Sequence, residues 1–222
     1  MRSQQGLRGK GTSRMSLVQQ SMAFAELMAA KIERLEVPDG NHSYGVGRIV
    51  EAILERLDIG LSPEVREMWP VAASIHDWGK QYVPLEVLRK PGPLTREELI
   101  LVQSHTTRGF QDLQEYGAKD PDSQVFWLAA AEIALTHHEN WDGSGYPVGL
   151  TGEEIPLVGR ITHVADVLHA LTSPRVYHKE MPVEQAMALM CGSSAFDGAF
   201  DPEVLAVAAA MVKERGHGGA FT

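Results

Sequence analysis

Between residues 46 and 57, Val46, Ile49, Val50, Ile53, Leu54 and Leu57 recur at intervals of three and four, the period of a helix with one buried face. The same period governs most of the chain. Leu17, Phe24, Met28, Ile32 and Leu35 share a face of an earlier helix, which Pro38, Asp39 and Gly40 end. Ser62 followed by Pro63 is a cap with proline at the first helical position, opening a helix that runs toward His76. KPGPLT from Lys90 is a break, after which Thr95 and Glu98 form a capping box ahead of LILVQSH and set His105 on the helix that follows. FWLAAAEIALTHHE from Phe126 delivers His137 and His138 near its end, residues 161–171 and 182–190 read as further helices, and Asp201 with Pro202 caps a last one. Strand-like alternation is nearly absent, so the expected fold class is all-α, a single helical bundle with no internal repeat.

With 222 residues, 44% of them hydrophobic, the chain can bury one sizeable core. A formal net charge of −9 argues against broad DNA or RNA binding, so a phosphate-bearing ligand needs a local positive site. Cys191 is the sole cysteine, which excludes a disulfide framework and a thiolate metal site and fits the cytoplasm. Runs such as VLAVAAAMV from Val204 are too short to span a membrane. Residues 1–15 carry Arg2, Arg8, Lys10 and Arg14 without an acid and read as a disordered basic tail. The expected organisation continues with an N-terminal helix over 16–41, a catalytic domain over 42–214 and a flexible tail over 215–222.

Five histidines (His42, His76, His105, His137 and His138) fall near the ends or faces of predicted helices. Each alone is open to a structural role. The adjacent His76 and Asp77, followed by Gly79 and Lys80, point further: imidazole with carboxylate and no sulfur suits iron, manganese or zinc. A carboxylate can bridge two ions, and two ions about 3.5–4 Å apart clamp the attacking and leaving oxygens of a displacement at phosphorus.

HDWGK from His76 and HHENWDGSGYPVGLTGEEIP from His137 resemble the two signatures of the HD-GYP family, the cyclic di-GMP phosphodiesterase branch of the HD hydrolases. KPGPLT, the isolated His105, GRITHVADVLHALTSPRVYHK from Gly159 and FDPEVL from Phe200 continue the likeness, which runs from about His42 to about Lys213.

The resemblance implies a single HD-type bundle with a dinuclear site. By matching position, the metal ligands would be His42, His76, Asp77, His105, His137, His138 and Asp166, with Asp77 the bridge. They would hold two divalent ions, iron or manganese first, with zinc, nickel, cobalt or magnesium as alternatives. Lys80, three residues past Asp77 and on one helix face with it, would stabilise charge on the phosphoryl oxygens, the first choice, or help protonate the leaving oxygen. Gly145, Tyr146 and Pro147 would shape the substrate pocket, with Gly143 and Gly145 supplying backbone conformations closed to other residues. Arg175 and Lys179 would face the substrate phosphates. The implied reaction is hydrolysis of cyclic di-GMP to pGpG or GMP, with a non-hydrolysing cyclic dinucleotide receptor as the alternative. A homodimer or a signalling protein partner is left open.

Departures from the family pattern are specific. Gly45 stands where an arginine is common, Pro38 where some members carry an acid, His169 where a second aspartate is usual, and His178 where a basic residue often precedes Lys179. Together they argue against a third metal and leave His169 as a further candidate ligand. His163 reads as a core residue or a support to a ligand.

Overall fold

A computed structural model describes residues 16–36, 41–173 and 180–215. The expectations placed on residues 1–15, Pro38, Arg175, His178, Lys179 and residues 216–222 lie outside these. Among the described residues the chain forms α-helices and short 3₁₀ turns and no strand. The α-helices are α1 (Leu17–Glu36), α2 (His42–Leu54), α3 (Pro63–Ala73), α4 (Leu85–Leu88), α5 (Arg96–Gln103), α6 (His105–Lys119), α7 (Gln124–Thr136), α8 (Leu157–Thr172), α9 (Val183–Gly192) and α10 (Pro202–Arg215).

Helix α2 is central, packing against α3 and α8 and also meeting α1 and α10. That placement follows from its sequence, since Val46, Ile49, Val50, Ile53 and Leu54, with Leu57 just beyond the helix, are all buried. Helix α7 is as deeply set, with α6 along one side and α3 and α8 also in contact; Phe126, Trp127, Ala130, Ala131, Ile133 and Ala134 of α7 are buried. Helix α1 docks on the same core through Ser21, Ala25, Met28, Ala29 and Ile32. The expected stripe is therefore rotated slightly. Phe24 is half exposed at its rim, its ring against Tyr116 and Trp127, because Ala25 and Ala29 let the helix approach more closely than a phenylalanine would.

The caps form as the sequence leads one to expect. The Ser62 hydroxyl accepts from the Val65 amide, and Thr95 and Glu98 make a reciprocal capping box. Asp201 does two things at once. Its Oδ1 accepts from the Glu203 and Val204 amides at the start of α10, while its Oδ2 accepts from Arg160 Nη1 at 2.6 Å. Arg160 Nε donates to the Ile155 carbonyl, so the pair ties α8 to α10. Loss of the buried carboxylate strands the arginine and uncaps the helix. Asp201→Ala is expected to cost about 3–5 kcal/mol, read as a lower urea midpoint at unchanged slope; a loss under about 1 kcal/mol, the scale of a cap alone, would show that the ion pair contributes nothing.

Candidate metal centre

Each presumed ligand is delivered by a helix end or by the middle of α8. His42 is the first residue of α2 and His105 the first of α6. His76 and Asp77 lie in the turn between α3 and a 3₁₀ turn, Trp78–Tyr82. His137 and His138 follow the end of α7, and Asp166 projects from the middle of α8. His76, Asp77, His105, His137 and Asp166 are buried; His42 and His138 are half-buried.

The seven gather into two adjoining groups. Ligand atoms of Asp77, His105, His137 and His138 lie within 4.8 Å of one another, and so do those of His42, His76 and Asp166. Asp77 faces both groups. Its Oδ1 lies 3.2 Å from His105 Nε2 and 3.7 Å from His137 Nε2, whereas its Oδ2 lies 3.1 Å from His76 Nε2. Asp166 Oδ1 stands 3.1 Å from His42 Nε2 and 4.0 Å from His76 Nε2.

The other ring nitrogens show what this arrangement is suited to. His76 Nδ1 lies 2.8 Å from the Ala73 carbonyl, His105 Nδ1 2.7 Å from that of Val102, and His137 Nδ1 3.0 Å from that of Ile133. A carbonyl only accepts, so each Nδ1 carries a proton and each Nε2 points inward, with a bare lone pair whenever the ring is neutral. His76 Nε2 and Asp77 Oδ1, both fully buried, make no hydrogen bond despite their close neighbours. Imidazole nitrogens and carboxylate oxygens that converge while buried, two of them without a hydrogen-bond partner, are the donor set of a cation once the rings are neutral, so the residues present fit divalent metal.

Electrostatics agree. Burial pushes the Asp77 carboxyl up, but His76 and Lys80 beside it hold it well below the usual carboxylate range. Burial likewise opposes ionisation of Asp166, but the His42 imidazole, with those of His76 and His138, holds it well below the usual carboxylate range. Burial pulls the His137 imidazole down to about 4 and puts His138 well below its ordinary value. His76 is the exception: burial lowers it, yet Asp77 and Asp166 push it up to about 9.

Lys80 Nζ donates to Asp77 Oδ2 at 2.5 Å. The expected proximity holds on a different backbone, because Asp77 precedes the 3₁₀ turn that contains Lys80, where residues three apart eclipse. Gly79 between them meets α6 so closely that a Cβ would lie 1.9 Å from the His105 carbonyl oxygen.

The loop after His138 folds back over it. Tyr146 stacks on the His138 ring with centroids 4.8 Å apart, and its amide donates to the His138 carbonyl. Gly143 has the left-handed conformation that was expected, at φ +83°. Gly145 does not; it is required because a Cβ there would stand 2.2 Å from the Asn140 amide nitrogen. Pro147 is exposed at the loop's tip. The Trp141 and Asp142 amides donate to the Ala199 and Gly198 carbonyls, which accounts for the neighbouring FDPEVL stretch.

Two carboxylates escaped the sequence reading. Glu139, buried, accepts from the Val148, Gly149 and Leu150 amides and so holds the loop shut. Glu33 of α1, also buried, accepts from the His42 and Ser43 amides, capping α2 from another helix. Neither has a local signature, since each acts on backbone that is distant or irregular. His163 packs on Phe200. His169 joins neither group; its Nδ1 lies 3.0 Å from His42 Nδ1.

Loading this centre requires His76 to give up a proton that the metal-free protein retains below about pH 9. Metal affinity is therefore expected to rise about tenfold per pH unit from pH 7 to 9, with a proton released on binding. Zinc titration against a competing chelator reads this, and an affinity flat across that range would contradict it.

The HD domain family model matches residues 15–204. A protein of Vibrio cholerae described as a probable cyclic di-GMP phosphodiesterase is 36% identical over 195 residues, 85% of this chain and 43% of that protein. A cyclic di-GMP phosphodiesterase of Thermotoga maritima is 38% identical over 189 residues, 85% and 49% of the two chains. This chain thus spans about half the length of these relatives or less. A solved structure of an HDG"Y"P protein from Bdellovibrio bacteriovorus superposes with a TM-score of 0.61 at 20% identity, covering 88% of this chain and 62% of that one, a likeness of fold. The match through nearly all of the described helices, with the His76–Asp77 pair at the junction of both ligand groups, means that the chain belongs to the HD domain family.

Proposed function

We propose that this chain hydrolyses a 3′,5′-phosphodiester of a cyclic dinucleotide, cyclic di-GMP first, giving pGpG or GMP, with residues 42–214 as the catalytic unit. The observation that supports it most is the shared carboxylate: Asp77 presents one oxygen to each ligand group and is held by Lys80 as well. The names of the similar phosphodiesterases point to the same substrate class. Two divalent ions bound here, iron or manganese in our reading, would supply a lowered pKa for water and positive charge for the phosphoryl oxygens. His105, His137 and His138 would hold one ion and His42, His76 and Asp166 the other, with Asp77 offering an oxygen to each group.

Lys80 gives the phosphorane-like oxygens an ammonium already set in place by Asp77, so no reorganisation is needed as charge develops. Charge stabilisation ranks ahead of proton donation for it, because a lysine ammonium is a poor acid near neutrality. Gly145, Tyr146 and Pro147 form the rim over His138 and orient the nucleotide, and Arg175 and Lys179 complete the phosphate contacts.

The test is anaerobic incubation of the protein, loaded with ferrous iron or manganese, with cyclic di-GMP, followed by nucleotide chromatography. Appearance of pGpG or GMP that chelation abolishes is the expected result; intact substrate with two ions bound per chain would replace the enzyme with a receptor. Asp77→Ala is expected to lose bound metal and turnover together, and retention of both would remove it as the bridge. Lys80→Ala is expected to keep its metal and lose about a hundred- to a thousandfold in kcat, and an unchanged kcat would take Lys80 out of the chemistry.

A further inference from the structure

The ring nitrogens behave unevenly around the centre. His76, His105 and His137 each have Nδ1 against a carbonyl of their own preceding turn. His42 stands at the first position of α2, and its Nδ1 lies 3.0 Å from Nδ1 of His169 instead. His169 is one turn beyond Asp166 on α8, buried, with the Ser173 hydroxyl 3.1 Å from both of its ring nitrogens. Two imidazole nitrogens at that distance share one proton. Without metal the Asp166 carboxylate, 3.1 Å away, accepts from His42 Nε2; with an ion held at Nε2 the proton would sit on His42 Nδ1 and be donated to His169 Nδ1, leaving the other proton of that ring on Nε2.

Gly45 is the seat for this ring. A Cβ at Gly45 would lie 1.9 Å from His169 Nε2 and 2.2 Å from its Cδ2, so the imidazole rests on bare backbone one turn into α2. Two departures from the family pattern therefore meet at one point: the ring at position 169 fits because position 45 has no side chain.

The geometry points to His169 as the positioning residue for His42: it fixes that ligand's tautomer and ring orientation through the Nδ1 contact, and Gly45 keeps it in place. The inference rests on the proposed role of His42 as a metal ligand, and the experiment separates the two. Stepwise zinc titration of the purified chain, with zinc per chain counted after dialysis against graded chelator, follows the tighter and weaker sites. His169→Leu fills the space without an acceptor and is expected to weaken the site containing His42 about 10–100-fold, leaving the other site unchanged. His169→Asn, whose amide oxygen accepts, is expected to restore most of the loss. Gly45→Ala is expected to weaken the same site, and to add nothing when combined with His169→Ala, because the clash is gone.

If His42→Ala loses the second zinc and His169→Leu does not, the role of His169 is overturned while the metal reading stands. If His42→Ala also binds two zinc ions normally, both fall. Should His169→Leu fail to fold, long-range proton–nitrogen spectra of the zinc-loaded wild-type chain decide: a His169 ring protonated on Nε2 with Nδ1 bare supports the assignment, and one protonated on Nδ1 overturns it.

Discussion

A carboxylate buried as deeply as that of Asp77 is tolerated only with positive charge or strong donors around it, and much of the fold serves that need. The turn after α3 sets His76 and Lys80 against one oxygen, while α6 and the end of α7 set His105 and His137 against the other. None of these elements would place its histidine without its packing partner. Helix α6 lies along α7 and meets the 3₁₀ turn after Asp77, and the missing side chain at Gly79 sets how close that approach is. The bundle thus serves as a frame that brings separate helix ends to one anion.

Around this centre sits a second tier of contacts that aim the ligands. Backbone carbonyls turn three imidazoles inward, Glu33 caps the helix that begins at His42, and Glu139 gathers the amides of the loop over His138. Glu33 links α1 to the centre directly. A shift of α1 would uncap α2 at the residue that faces Asp166, so the N-terminal helix is mechanically coupled to the site as well as packed on the core.

Much of this was legible in the sequence, and the parts that were not share a cause. The buried face of α2, the Ser62 and Thr95 caps and the Asp201 cap are local patterns, readable from intervals of three and four residues. The convergence of His42, His76, His105, His137, His138 and Asp166 came from the family resemblance, because spacing does not reveal which helix ends meet. Glu33, Glu139 and the pairing of His169 with Gly45 were missed. Each joins residues brought together only by tertiary packing, and acidic residues or a histidine on a helix carry no local mark of such a role. At Gly145 backbone crowding requires the glycine, where a conformation closed to other residues was expected.

Whether one carboxylate joins two metal positions can be read from electron paramagnetic resonance of the manganese-loaded chain. Two ions bridged by Asp77 are expected to give the spectrum of a spin-coupled pair, which Asp77→Ala abolishes. Two independent manganese signals in the wild-type chain, or a coupled pair that survives Asp77→Ala, would contradict the account.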